Sequence, residues 1–324
     1  MAVFWTLTVD TEEEWDWHAG WAVHDLSVRN IERLPAFQDQ CSARGAAVSY
    51  FANHAVLADK TSATILAELA RRERVEVGMH IHPWNTPPLT SDKVASPRET
   101  YLHNLPASDI EAKLTTVYRA FAAAGLPAPT SFRGGRYSTS PAIQGFLQRH
   151  AFVTDSSIVP YTAWSDEGAP DFRGRGLLPA RLPPGNERET ALWELPLTRG
   201  FSRRGFDFWG RAFAAIEHSP LRKLKLIGLA NRLGLVRRVW LNFEQHSADE
   251  MLGILPALER AGLPFVSFTL HSSSLLPGAS PYARTQAEAD RLLDQIDRVL
   301  VYLEKRPGYE PATMSQIARQ FEAG

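Results

Sequence analysis

The chain has 324 residues, 44% of them apolar, and 35 Lys/Arg balance 36 Asp/Glu to a formal net charge of −1. That is room for one full-sized α/β domain with a sizeable core, and the balance leaves no basic field to attract nucleic acid. A single cysteine, Cys41, excludes a disulfide framework and a cysteine-type zinc site, and reads as a small buried helix residue.

Met1 to Asp10 runs directly into Val-Phe-Trp-Thr-Leu-Thr-Val, with no basic segment or cleavage site, and no apolar stretch reaches membrane-spanning length. The expectation is a cytoplasmic protein. Residues 3–10 alternate, are rich in β-branched residues and end on Asp10, which predicts the first strand. Thr-Glu12-Glu13-Glu14-Trp15-Asp-Trp17 follows. Acids beside Trp15, Trp17 and Trp21 suit a sugar-binding cleft, or equally a loop packed on a barrel top.

Helical periodicity covers 30–44 and 61–74, the second with Ser62 as N-cap, and 46–52 reads as a strand between them. Residues 75–82 form a short buried strand in which Gly78 admits a neighbouring backbone. His80 and His82 face one way on it, about 6.8 Å apart, because side chains two apart share a face. Pro83 and the Pro-rich tail to Pro88 end the strand, so both imidazoles sit at its C-terminal tip.

A helix over 108–124 stops at Gly125 and Pro127. Strand 131–133 ends on Arg133, helix 141–150 follows, and strand 151–155 ends on Asp155. Residues 156–190 read as a loop, and the whole stretch 156–238 as a long insertion in a single domain. Strands are expected at 192–197, 239–243 and 264–270, the last ending on His271. Helices are expected at 208–235, 247–261 with Ser247 as cap, 283–305 and 314–321.

Strands alternating with helices predict a parallel sheet. Polar residues recur where strands end: Asp10, His80, His82, Arg133, Asp155 and His271. That is the catalytic face of a (β/α) barrel. Glu12, or Glu13 as second choice, is spaced to join His80 and His82 on a divalent ion, and three ligands plus water make an open zinc site. Asp10 would accept the water's proton, and His271 would protonate the leaving amine. Arg133 would hold Asp10 by a fork of hydrogen bonds, or form a structural ion pair. Asp155 would orient His271 or another partner, or cap a turn before Ser156-Ser157.

The set resembles the NodB-homology polysaccharide deacetylases, carbohydrate esterase family 4. The motifs are Val-Asp10-Thr-Glu12, Glu76-Val77-Gly78-Met79-His80, Phe132-Arg133-Gly134-Gly135-Arg136-Tyr137, Asp155-Ser156-Ser157 and Phe268-Thr269-Leu270-His271, in consistent order. Trp84 stands where the family has its second metal histidine, so His82 takes that place. His80-Ile-His82-Pro-Trp84 and the run from His271 to Tyr282 resemble the lipopolysaccharide-biosynthesis WalW-type branch. The resemblance implies a distorted (β/α) barrel of six to eight mostly parallel strands and a zinc-dependent hydrolase of acetyl amides or esters on a glycan. Asp10, His271, Arg133 and Asp155 would be catalytic, Glu12, His80 and His82 metal ligands, and Trp15, Trp84 and Tyr137 sugar contacts.

Two other readings use the same residues. One is a glycoside hydrolase with paired carboxylates from Glu12–Glu14 and Glu194. The other is a non-catalytic sugar-binding scaffold. A basic stretch around 220–238, with leucines at helical spacing, reads as a barrel helix or as a peripheral contact with an anionic membrane carrying lipid-linked sugar.

Overall fold

The computed structural model describes residues 2–14, 20–89, 91–217, 219 and 235–324. Trp15 and residues 220–234 of the basic stretch lie outside them.

Eleven strands are seen among the described residues. They are β1 (Val3–Thr11), β2 (Val48–Ala52), β3 (Val75–Ile81), β4 (Ser131–Gly134), β5 (Thr154–Asp155), β6 (Ala180–Leu182), β7 (Leu192–Glu194), β8 (Arg199–Phe201), β9 (Arg238–Trp240), β10 (Phe265–His271) and β11 (Tyr309–Pro311). The main sheet runs β10-β1-β2-β3-β4-β5-β7-β6, with β11 added beside the start of β1. Only β6 is antiparallel to its neighbour. β8 and β9 form a separate antiparallel pair.

The sheet is curled, with helices on its outer side, as in a distorted (β/α) barrel. Its two sides are joined by isolated hydrogen bonds, not by a ladder. The Thr198 carbonyl accepts from the Leu241 N–H at 2.9 Å, and the Leu241 carbonyl accepts from the Thr269 N–H at 2.8 Å. β1 is buried from Trp5 to Thr11 and β2 along its whole length, as parallel strands covered on both faces must be. The helix Met314–Ala323 packs Met314 and Ile317 against Phe51, Leu195 and Phe265. Its first turn is tied to the N-terminal ends of β2 and β3: Met314 N–H donates to Ser49 Oγ at 3.0 Å, and Ser315 N–H to Glu76 at 3.1 Å. Glu76 is thus an anchor at the end of the sheet away from His80 and His82.

Several element bounds differ from expectation. Asp59, not Ser62, caps the helix Lys60–Leu69, because its carboxylate accepts from the Ser62 N–H. Ser247 does cap the helix Ala248–Arg260 as expected, with Glu250 in a reciprocal box. β6, β8 and β11 were not expected. Each has three residues, too few to show a period. The helix Phe206–Glu217 covers the start of the expected 208–235 helix, and the basic stretch is strand from Arg238 on. Gly78 is required by side chains, not by a neighbouring backbone: a Cβ there would lie 2.3 Å from Ser131 Oγ and 2.9 Å from the Phe51 ring.

Candidate active site

Strand register assembles the site. Asp10 and His271 are direct partners across β1 and β10, and His80 and Arg133 are partners across β3 and β4. In-register parallel strands carry the residues at their C-terminal ends to one side, so Asp10, His80 and His271 reach the same cleft while Arg133 stays buried behind Asp10. The cleft has a volume of about 400 Å³ and is lined by Asp10, Glu12, His80, His82 and His271, with Trp84, Tyr101, Tyr137, Trp164, Trp240 and Tyr282 as aromatic walls.

Glu12, His80 and His82 converge. Glu12 Oε2 lies 3.0 Å from His82 Nε2 and 3.4 Å from His80 Nε2, and the two Nε2 atoms are 3.2 Å apart. Each of the three residues offers one ligand atom, and these atoms fall within 4.8 Å of one another. The surroundings fix the tautomers. His80 Nδ1 donates to the Arg133 carbonyl at 2.7 Å, which leaves its Nε2 lone pair for the cleft. His82 Nδ1 is held by Glu13 Oε1 at 2.7 Å. Glu13 also accepts from Asn85 Nδ2 at 2.6 Å and from Asn53. Glu13 is therefore the support of His82, and Glu12 is the acid that reaches the convergence point. Such a set of two imidazoles and one carboxylate, each imidazole backed by an acceptor, is a donor set for a divalent ion.

The cluster is strongly polarised. Burial works against charge on His82, but the carboxylates of Glu13 and Glu12 prevail and raise its pKa to about 10. Burial likewise opposes the Glu12 charge, yet His82 and His271 hold it below the usual carboxylate range.

Arg133 is fully buried and gives Asp10 one hydrogen bond, Nη1 to Oδ1 at 2.5 Å, not the expected fork. Its other N–H groups are taken by Thr8 Oγ1 at 3.0 Å and by Ser156. Asp10 Oδ2 faces His271 Nε2 at 3.9 Å.

His271 is not held by Asp155. Its Nδ1 lies 2.7 Å from Glu244 Oε2, and its backbone N–H donates to Glu244 Oε1 at 3.0 Å. Ser274 also donates to Glu244. Burial disfavours charge on His271, but Glu244 and then Glu12 outweigh it and raise its pKa to about 10. Asp155 instead turns back on its own chain, accepting from Ser157 N–H at 3.0 Å and Ser157 Oγ at 2.5 Å, with Thr139 on its other oxygen. The physical reason is reach: Asp155 ends a two-residue strand beyond β4, whereas Glu244 follows β9 on the side where residues 241–243 run along β10. The strand-end rule applied to expected strand 239–243 points to Glu244 as the next residue. Glu13, the second choice for the convergence point by its spacing, instead backs His82, and Asn53 and Asn85 carry no comparable signal.

Of the expected sugar contacts, Trp84 and Tyr137 line the cleft. Trp84 stacks on His82 with ring centroids 4.2 Å apart and planes at 17°. The Trp84 indole offers only an N–H donor and no ligand lone pair, and its ring lies over His82. Tyr137 stacks on Trp164 at 5.3 Å. Trp15 lies outside the described residues.

No protein-family model matches the sequence, and no curated protein matches it. Solved structures do match in shape. A protein from Mycobacterium smegmatis assigned as a polysaccharide deacetylase aligns with 99% of this chain and 91% of its own, with TM-score 0.56 and 12% identity. PuuE allantoinase aligns with 99% and 90%, with TM-score 0.56 and 11% identity. A 4-α-glucanotransferase from Thermococcus litoralis aligns with 99% of this chain and 40% of its own, with TM-score 0.53 and 10% identity. The fold is thus the NodB-type distorted barrel. Proteins of three different names share it, so the chemistry has to be argued from the residues of the cleft.

Proposed function

We propose that this chain is a metal-dependent deacetylase that hydrolyses an acetyl amide or ester on a glycan or glycan precursor. The observation that carries the reading is the meeting of Glu12, His80 and His82 beside an Asp10–His271 pair in one aromatic-lined cleft. A divalent ion bound by Glu12, His80 and His82, zinc being suited to such nitrogen and oxygen donors, supplies an activated water and polarises the acyl carbonyl.

The chain's own residues do the rest. Asp10, fixed by Arg133, accepts the proton of the attacking water. His271, held by Glu244, carries the proton that the amine needs in order to leave. Glu13 keeps His82 turned toward Glu12, and the His80 Nδ1 bond to the Arg133 carbonyl does the same for His80. Trp84 and Tyr137 form apolar walls against which a sugar ring can lie.

The glycosidase reading has less support. Glu194 is bound by Gln144 and Arg175 and does not line the cleft that Glu12 lines. The wider setting belongs to the same proposal: one domain with an insertion around 156–238, cytoplasmic, acting in cell-surface polysaccharide biosynthesis, with the 220–238 stretch either a barrel helix or a peripheral contact with a membrane carrying lipid-linked sugar. Among the described residues no helix is long and apolar enough to cross a membrane. Incubation with N-acetylated oligosaccharides separates the readings. Acetate release supports the deacetylase, new reducing ends without acetate support the glycosidase, and neither product supports the scaffold.

A further inference from the structure

Arg136 stands three residues beyond Arg133 and plays no part in the chemistry above. Its guanidinium gathers three loops. Nη1 donates to Thr100 Oγ1 at 2.5 Å, and Nη2 donates to Asp166. The same group lies 4.2 Å from the Tyr101 ring centroid and 5.4 Å from that of Trp21. Tyr101 closes the arrangement by donating its hydroxyl to Asp166 at 3.2 Å. The Asp166 loop carries Trp164, which stacks on Tyr137, and Tyr101, Arg136, Tyr137, Trp164 and Asp166 all line the cleft.

The backbone there is over-determined. Arg136 and Tyr137 both have left-handed φ, +50° and +62°, which side chains other than glycine adopt only against strain. Gly134 and Gly135 before them have no room for a Cβ, which would lie 2.0 Å from the Ser138 carbonyl oxygen and 2.1 Å from that of Ile81. Arg136 is thereby fixed between the loops. A planar cation with several donors can bond two oxygens and stack on an aromatic face at once; lysine cannot.

We propose that Arg136 is the positioning residue that sets the spacing of the aromatic cleft walls, and so determines how tightly the glycan is seated without touching the reacting atoms. The glycan part of this rests on the deacetylase reading; the wall-spacing part does not.

The test compares wild type with Arg136→Met, which keeps the stem and removes the charge and donors, and with Arg136→Lys. Hydrogen exchange of the intact chain is expected to run roughly tenfold faster in segments 20–28, 97–104 and 160–172 of Arg136→Met, with β1 to β4 unchanged. With an N-acetylated oligosaccharide, KM is expected to rise roughly tenfold at nearly constant kcat, while turnover of 4-nitrophenyl acetate, too small to span the walls, stays within about twofold. Arg136→Lys should restore little of either. Faster exchange confined to 134–138, or equal losses on both substrates, would overturn the proposal. If Arg136→Met does not fold, Asp166→Asn takes its place, and unchanged exchange in 97–104 would be the overturning result. Wild type that releases acetate from neither substrate would count against the deacetylase reading, and exchange alone would then decide the role of Arg136.

Discussion

Glu244 meets His271 twice: one carboxylate oxygen accepts the backbone N–H at 3.0 Å, and the other lies 2.7 Å from Nδ1. The ring is thereby fixed with Nε2 toward Asp10, 3.9 Å away. The proton that His271 carries at neutral pH is held mainly by Glu244 against the cost of burial.

Glu244→Gln removes that carboxylate while keeping an acceptor for the backbone N–H. In the proposed acid role His271 must be protonated, so activity should be lost as pH rises through its pKa. Without Glu244 the alkaline limb of kcat/KM should move down by about one pH unit or more. A profile that keeps its alkaline limb would remove Glu244 from this role.

That residue also shows where the sequence was legible. Asp10, His80, Arg133 and His271 could be read because each ends a strand whose pattern is plain, and parallel register then brings them together. Glu244 follows a strand only three residues long, and its contact with His271 depends on how 241–243 run along β10. Asp155 lies at a strand end as well and serves a local turn, so position alone does not assign a role. Spacing puts Glu13 within reach of the histidine pair, but its place behind His82, and the bonds from Asn53 and Asn85 that hold it there, come from tertiary packing that no spacing in the chain encodes.

Burial works against charge on His82, but Glu13 and Glu12 raise its pKa to about 10, so an ion bound there would displace a proton. Zinc titrations near pH 7 in buffers of different ionisation enthalpy should therefore report about one proton released per ion bound. In Glu13→Gln the release should shrink, because the first of the carboxylates holding the proton is gone. Binding without proton release would show that His82 is not a ligand.

Asp10→Asn tests the buried pair with Arg133. Acetate release should fall at least about 10²-fold, the scale of lost general-base help, with the ion still bound. Arg133, fully buried, would lose its carboxylate, and stripping one partner from such a pair costs about 3–5 kcal/mol. Thermal unfolding should register that loss. Unchanged turnover would reassign the base.

Asp155 makes a separate prediction about stability. Burial pushes its pKa up to about 6, against hydrogen bonds from Ser157 and with Glu194 adding to the rise. An unfolded aspartate titrates near ~3.9, so the folded chain holds a proton that the unfolded chain has released between those values. The contribution of this group to stability therefore falls as pH rises from about 4 to about 6 and is level above that. Asp155→Asn should flatten that part of the Tm-against-pH curve. An Asp155→Asn curve parallel to wild type would contradict the assignment.

The most direct measurement is acetate released from an N-acetylated oligosaccharide by protein stripped with chelator and then titrated with zinc or cobalt. The account predicts no release from the stripped protein, recovery that saturates near one ion per chain, and no recovery in His80→Ala although it remains folded. Acetate released at full rate by metal-free protein, or new reducing ends in place of acetate, would contradict it.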